Sequence, residues 1–342
     1  AGGPRAPLGL GAAARIGGAE RGMEGGMVDK RDEQAIEAVR LYFERGLSQA
    51  EVAAKMGISR PTVAKLLLRG KEAGFVTVEI HDPRETSSVL GEQLAQRFGL
   101  VEARVVHDSG ASEREILDDL GRVGAGLVES LVEDGMSVGV SWGRTMNAIA
   151  SRLRRTLRRD VEIVQLKGGT SHSSEATNDF EVMRAFCEAF NAVPRYLPLP
   201  VIFEDVRTLE IVRSDPHIAS ILEAGRQTDL VVFTVGDVAA ESLALSHSHL
   251  KGSEARELLA GAVGDACSRF FTAEGEIAVP GIDERTAGIS LKDLASRPIR
   301  VLVAGGPKKA AALATALRMG LATHVVVDQD LARVLLAESA RA

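Results

Sequence analysis

The sequence is poor in cysteine, in aromatic residues and in long apolar runs. Its 342 residues include only two cysteines, Cys187 and Cys267. That excludes a disulfide framework and a cysteine-rich zinc site, and it fits a reducing cytoplasmic setting. Aromatic residues make up 4% of the chain, and Trp142 is the sole tryptophan. No apolar stretch reaches the roughly 18 residues of a spanning helix, so no membrane segment is expected. His247 and His249 lack a nearby carboxylate or cysteine to complete a ligand set, so neither a metal nor a cofactor is expected. Positive charge is also in deficit: 41 Lys and Arg against 47 Asp and Glu give a net charge of −6. Evenly spread, that acidity would argue against nucleic acid as a partner.

The charge is not evenly spread. Between Ser59 and Lys71 stand four basic residues and no acid. The residues leading into this stretch have the spacing of a helix-turn-helix. Ser48 with Glu51 makes a capping box at the start of a first helix. Ala53 is small where two helices must meet, and Gly57 suits a left-handed turn. Ser59 caps a second helix whose first turn accepts Pro61. Val52, Ile58, Val63 and Leu66 form the inward set. The second helix then turns Ser59, Arg60, Thr62, Lys65 and Arg69 outward. Arg60 and Thr62 are placed to read bases in a major groove; Lys65, Arg69 and Lys71 are placed to meet phosphates. The strand pattern after Gly74 would make a wing. One reader helix binds weakly, so a symmetric oligomer is expected.

Four segments follow from composition and periodicity. Residues 1–28 have no apolar period and no secretory-signal core, and read as a disordered tail or as sequence upstream of the true start. Residues 29–83 form the helix-turn-helix DNA-binding domain. Residues 84–99 read as a linker helix with Val89, Leu90, Leu94 and Phe98 on one side. Residues 100–342 alternate strand and helix, with strands predicted at 103–106, 137–141, 162–166, 230–235, 300–304 and 324–327. Most of these are continuous apolar runs, as in strands buried on both faces of a parallel sheet. The fold class is therefore α/β: an N-terminal helix-turn-helix followed by a Rossmann-like parallel-sheet domain. Ligands of such sheets bind beyond the carboxyl ends of the strands.

Those strand ends carry distinctive residues. Gly143, Arg144 and Thr145 follow one strand and open a helix, offering backbone N–H groups, a guanidinium and a hydroxyl to an anion. A tight packing turn explains them equally well. Lys167 ends the next strand and is followed by Gly168 and Gly169, which would admit a ligand closely. Lys167 has three open uses: a phosphate contact, an ion pair with Asp237 or Asp265, or an imine with an aldehyde sugar. The 304–309 loop ends in Lys309, within reach of a phosphate or simply solvated. Trp142 lines a pocket or fills the core.

Together these segments resemble the SorC-type family of bacterial sugar-responsive transcriptional regulators, over residues 30–340. The resemblance rests on the helix-turn-helix and on Gly139-Val140-Ser141-Trp142-Gly143, Gln165-Leu166-Lys167-Gly168-Gly169, Gly261-Ala262-Val263-Gly264-Asp265 and Ala304-Gly305-Gly306-Pro307-Lys308-Lys309-Ala310. It implies a homotetrameric DNA-binding protein, a dimer of dimers, whose effector domain is related in fold to sugar-phosphate isomerases. It implies as partners an operator DNA and a phosphorylated sugar. The chain is most similar to the branch that senses deoxyribose 5-phosphate, which makes Lys167 the imine-forming lysine. Arg144 departs from the pattern, since many relatives carry a small or hydroxylated residue there. The resulting expectation is a repressor rather than an enzyme. The alternatives are a regulator sensing another sugar or polyol phosphate, and an isomerase- or aldolase-like enzyme with an appended DNA-binding domain.

Overall fold

The structure, a computed structural model, describes residues 12–15, 30–80, 83–107, 112–169, 178–238, 250 and 252–337. His247 and His249 lie outside the described residues. The chain divides into two units, Ala1–Pro83 and Arg84–Ala342.

In the first unit, α1 (Lys30–Val39) runs into a wider turn of π-helix at Arg40–Glu44. Helices α2 (Gln49–Met56) and α3 (Arg60–Glu72) follow. Ser48 and Glu51 exchange backbone donors reciprocally, the Glu51 carboxylate accepting from the Ser48 N–H at 2.8 Å. That satisfies two of the donors that a helix start leaves orphaned. Gly57 closes α2 at a φ of 67°, and the Ser59 hydroxyl caps α3 by accepting from the Thr62 N–H. Ala35, Ala38, Val39, Val52, Val63, Leu66 and Leu67 form the core between the helices. A β-carbon on Gly70 would stand 2.5 Å from Val39 Cγ2, so only glycine lets α3 cross α1 this closely. Strand β1 (Ala12–Arg15) pairs antiparallel with β2 (Thr77–Ile80), Ala12 facing Ile80 and Arg15 facing Thr77. This strand falls within the 1–28 segment. An Ala-Ala-Ala-Arg run has no alternation to announce a strand, and ladder pairing uses only the backbone.

The second unit opens with α4 (Pro83–Phe98), then β3 (Glu102–Val106), α5 (Glu113–Leu131) and β4 (Ser137–Val140). Next come α6 (Arg144–Ala150), β5 (Glu162–Gln165), α7 (Asp179–Phe190) and β6 (Val193–Arg195). After two further helices the chain forms β7 (Leu230–Phe233), β8 (Val235–Gly236), β9 (Gly264–Ala266) and β10 (Arg269–Phe271). It ends with β11 (Ile299–Ala304) and β12 (His324–Asp328), each followed by a helix. Seven strands make one parallel sheet in the order β3-β12-β11-β7-β4-β5-β6, and β8, β9 and β10 make a small antiparallel sheet.

The expected parallel sheet is present, and its burial explains the sequence pattern. Leu230, Val232, Val301, Val303 and Val326 enter the core on one face. Val231, Phe233, Leu302, Ala304, Val325 and Val327 enter the core on the other. With helices on both sides, alternate residues are equally apolar, so the strands read as unbroken runs. From β4 the chain builds outward through β5 and β6 in one direction. From β7 it builds through β11 and β12 in the other. The order therefore reverses between β4 and β7, which is where an open parallel sheet forms its ligand crevice.

Candidate functional site

Three strand ends and one hairpin converge at that crevice. Lys167, two residues past β5, is 7% exposed. Its Nζ donates to Ser268 Oγ at 3.2 Å and lies 3.8 Å from the centroid of the Trp142 ring. No carboxylate stands within ion-pair distance of it among the described residues. Burial pushes the amine below the ordinary lysine range, while Asp265, Cys267 and Asp179 act in the opposite sense. Asp265 is also buried, and its carboxylate accepts from the Ser268 N–H at 2.9 Å. Burial pushes its pKa up, against Lys167, the Ser268 N–H and Lys309. Lysine and carboxyl are thus each driven toward neutrality by the same dry surroundings, and each restrains the other.

The hairpin that carries Asp265 has an unusual turn. Cys267 and Ser268 have φ values of 51° and 64°, both left-handed. Two-residue hairpins favour that geometry, normally with Asn or Gly, because side chains strain it. Here it aims Ser268 at Lys167. Burial pushes the Cys267 thiol up to about 11. The next residue, Arg269, is 4% exposed and donates to the carbonyls of Asp283, Thr286, Gly288 and Ile289. It thereby pins the 283–289 segment beside Lys167, where the Ile289 N–H donates to Leu166 O at 2.8 Å.

The other predicted residues fall into two groups. Asp237, Asp265 and Lys309 gather near one another. Lys309 is pushed down by burial and opposed by Asp237 and Asp265. Its loop is fixed by Asp328, which accepts from the Gly306 N–H at 2.6 Å and from the Leu331 N–H at 2.9 Å. Gly143 takes a φ of 135° before α6, and Thr145 behind it is buried. Arg144 is exposed and faces Glu113 at 3.6 Å. Gly168 and Gly169 are closely packed. A β-carbon on Gly168 would meet the Leu199 and Pro200 carbonyls at 2.5 Å, and one on Gly169 would overlap the Asp179 carboxylate.

Sequence patterns missed Ser268, Cys267 and Asp328. The Asp265 motif stops just short of the turn, and Cys-Ser is not a hairpin signal. Trp142 fills the core beside Lys167. It is 6% exposed, packed with Val201, Ile202, Phe270 and Ile282, and its face covers Lys167.

On the reader helix α3, Ser59, Arg60, Thr62 and Lys65 are exposed, and the Ser59 and Thr62 hydroxyls bond at 2.8 Å. Arg69 is half-buried instead, with its Nε donating to Asp32 of α1 at 2.6 Å. It ties the reader helix to the first helix. Among the described residues, no group of His, Cys, Asp and Glu could hold a metal ion, and no helix is long and apolar enough to cross a membrane.

This combination of an exposed basic reader helix and a buried polar crevice defines a DNA-binding, sugar-sensing transcriptional regulator. Family models agree: a sugar-binding domain model matches residues 82–337, and a sigma-70 region 4 model matches residues 33–73. The chain belongs to the SorC-type family of sugar-binding transcriptional regulators. It is 42% identical over 310 residues to the deoxyribonucleoside regulator of Bacillus subtilis, covering 90% of this chain and 99% of that protein. It is 29% identical to the sorbitol operon regulator of Klebsiella pneumoniae, covering 88% and 96%. The crystal structure of the full-length sorbitol operon regulator superimposes with a TM-score of 0.68 at 27% identity, covering 89% of this chain and 98% of that one.

Proposed function

We propose that this protein is a cytoplasmic repressor of deoxyribonucleoside or deoxyribose breakdown, released from its operator by deoxyribose 5-phosphate bound to Lys167 as an imine. One observation carries this: Lys167 is a buried amine at a strand end, without a paired carboxylate among the described residues. Burial favours the neutral amine, which is the nucleophile that an imine requires. A 2-deoxy pentose 5-phosphate suits such an amine, because its blocked 5-oxygen prevents pyranose closure and leaves more open aldehyde. The similarity to a deoxyribonucleoside regulator supports the same effector class.

In this scheme Arg144, Thr145 and Lys309 hold the phosphate, with Gly143 and the 306–309 backbone beside them. Arg144 leaves its exposed Glu113 partner at little cost. Asp237 and Asp265 meet the sugar hydroxyls, and Gly168 and Gly169 shape the floor. Arg60 and Thr62 read base edges, Ser59 orders the start of the reader helix, and Lys65 contacts phosphate. Arg69 orients the reader helix through Asp32 rather than meeting phosphate directly. A dimer of dimers supplies paired reader helices, and the effector favours the arrangement that does not bind DNA.

The deciding experiment has two halves. Borohydride added with deoxyribose 5-phosphate is expected to leave a stable mass on Lys167, and the same sugar is expected to release operator DNA at fixed salt. An unmodified Lys167 at saturating sugar overturns the imine. Release by a different sugar phosphate alone overturns the choice of effector. The sugar phosphate is expected back unchanged after long incubation; its conversion to product would mark an enzyme.

A further inference from the structure

We infer that Trp142 serves as the counter-ion of Lys167: its ring face, in place of a carboxylate, holds the charge of the amine in the free protein and of the iminium once an aldehyde sugar phosphate has condensed. The second half of this statement rests on the imine scheme above; the first does not.

The ring is placed for that part from two directions. Its Nε1–H donates to Gly168 O at 2.7 Å, one residue beyond Lys167, so ring and amine hang from the same strand end. The ring itself belongs to the buried cluster of Val201, Ile202, Leu258, Phe270, Val279 and Ile282. Nζ then sits 3.8 Å from the ring centroid, within the range where a cation is attracted to the ring face. The only hydrogen bond that Nζ makes among the described residues is its donation to a neutral hydroxyl, Ser268 Oγ at 3.2 Å. The titratable groups that face Lys167 from other elements are Asp265 and Cys267 on the hairpin and Asp179 at the start of α7. Asp265 accepts from the Ser268 N–H, Cys267 remains a thiol with its pKa at about 11, and the Asp179 carboxylate lies against Gly169. None of them takes the place over Nζ that the indole occupies.

Charge balance explains why a ring suits this position. An ammonium and an aldehyde give an iminium and water: the nitrogen loses two protons, the carbonyl oxygen leaves with them, and a nitrogen–carbon double bond forms. One positive charge stands on the nitrogen before and after. A ring that stabilises the first cation therefore stabilises the second, whose planar shape also stacks on it. A carboxylate over Nζ would act differently. It would hold the amine protonated and unreactive, and it would offer a base to the acidified carbon next to the iminium, which is the start of turnover. An indole face accepts no proton there, so the ring supports binding without catalysis.

The test uses the full chain as wild type, Trp142→Phe and Trp142→Leu. Without sugar, the rate of Lys167 acetylation by acetic anhydride is followed against pH by peptide mass. Trp142→Leu is expected to shift the midpoint to lower pH, because the ring face no longer offsets burial, while Trp142→Phe stays near wild type. With deoxyribose 5-phosphate and borohydride, half-maximal adduct is expected to need about tenfold more sugar in Trp142→Leu, the order of a desolvated ring contact, and less than about threefold more in Trp142→Phe. An unchanged profile in folded Trp142→Leu overturns the inference. So does a Trp142→Phe profile displaced as far as that of Trp142→Leu, which would make the indole N–H bond the cause. If Trp142→Leu does not fold, the emission of the sole tryptophan is titrated in wild type and Lys167→Gln. A transition present only in wild type upholds the contact, and its absence overturns it. Shifted labelling with no adduct in any variant defeats the imine scheme alone. Adducts in all variants with identical labelling defeat the role of Trp142 alone.

Discussion

Gly288 lies against the main chain of Lys167. The two residues form an antiparallel bridge, and a β-carbon on Gly288 would stand 2.8 Å from Lys167 Cα and 2.5 Å from Leu166 O. Its φ of 140° is one that side chains rarely adopt. Gly288→Ala is therefore expected to cost roughly 1–3 kcal/mol of stability through overpacking and backbone strain. It is also expected to blunt the effector response by shifting Lys167. Urea unfolding and operator release measure the two effects, and a variant as stable and responsive as wild type would contradict this geometry.

Lys167 itself makes stability depend on pH. Its folded pKa lies below its unfolded one because of burial. Above the folded value the unfolded chain binds more protons, so stability rises with pH until about 10.4, the ordinary lysine value. Below the folded value the whole penalty of burying the charge applies. Wild type is thus expected to gain on Lys167→Met as pH rises from the folded pKa toward 10.4. Unfolding midpoints of both proteins across that range give the slope, and a flat or negative difference would rule this out.

Arg60 and Lys65 are expected to fail in different ways. Arg60→Ala loses about 1–3 kcal/mol of discrimination at one base position, because a base-edge contact is removed. Lys65→Ala weakens all sequences alike and lowers the salt slope of binding by about one. Fluorescence anisotropy with operator and scrambled duplexes, at several salt concentrations, separates them. Equal losses on both duplexes for Arg60→Ala would remove it from base reading.

Arg269 is expected to be the most damaging single truncation in the sensor. It is 4% exposed, pairs with Asp283 at 2.9 Å and donates to four carbonyls of the 283–289 segment. Arg269→Met removes a donor from each of those buried acceptors and from the Asp283 carboxylate, while Thr286 O keeps Arg213 as a second donor, a loss of about 3–5 kcal/mol. Thermal unfolding measures it; a loss under about 1 kcal/mol would mean that water replaces the guanidinium.

How much of this was legible beforehand follows from what each feature is made of. Most strands of the parallel sheet announce themselves because both faces are buried, as Val231 and Val232 illustrate by entering opposite cores. Strand β6 does not, since it is a short edge strand with Val193 exposed and Pro194 in its middle. The reader helix was legible through its caps, because Ser48, Gly57 and Ser59 act on their own neighbours. The contact from Arg69 to Asp32 was not, being set by how two helices cross. Lys167 stood out as a charge ending an apolar strand. Its neighbour Ser268 is separated from it by 101 residues, so only the folded hairpin brings the two together.

The Cys267–Ser268 turn sets two demands on the chain against each other. A left-handed residue other than glycine costs on the order of 1–2 kcal/mol, and this turn has two in succession. Asn-Gly would relieve most of that strain and build a sounder hairpin. It would also delete the hydroxyl that touches Lys167. Selection for thermal robustness alone would therefore work against the Ser268–Lys167 contact, and a more durable variant altered there would hold its lysine without that hydroxyl.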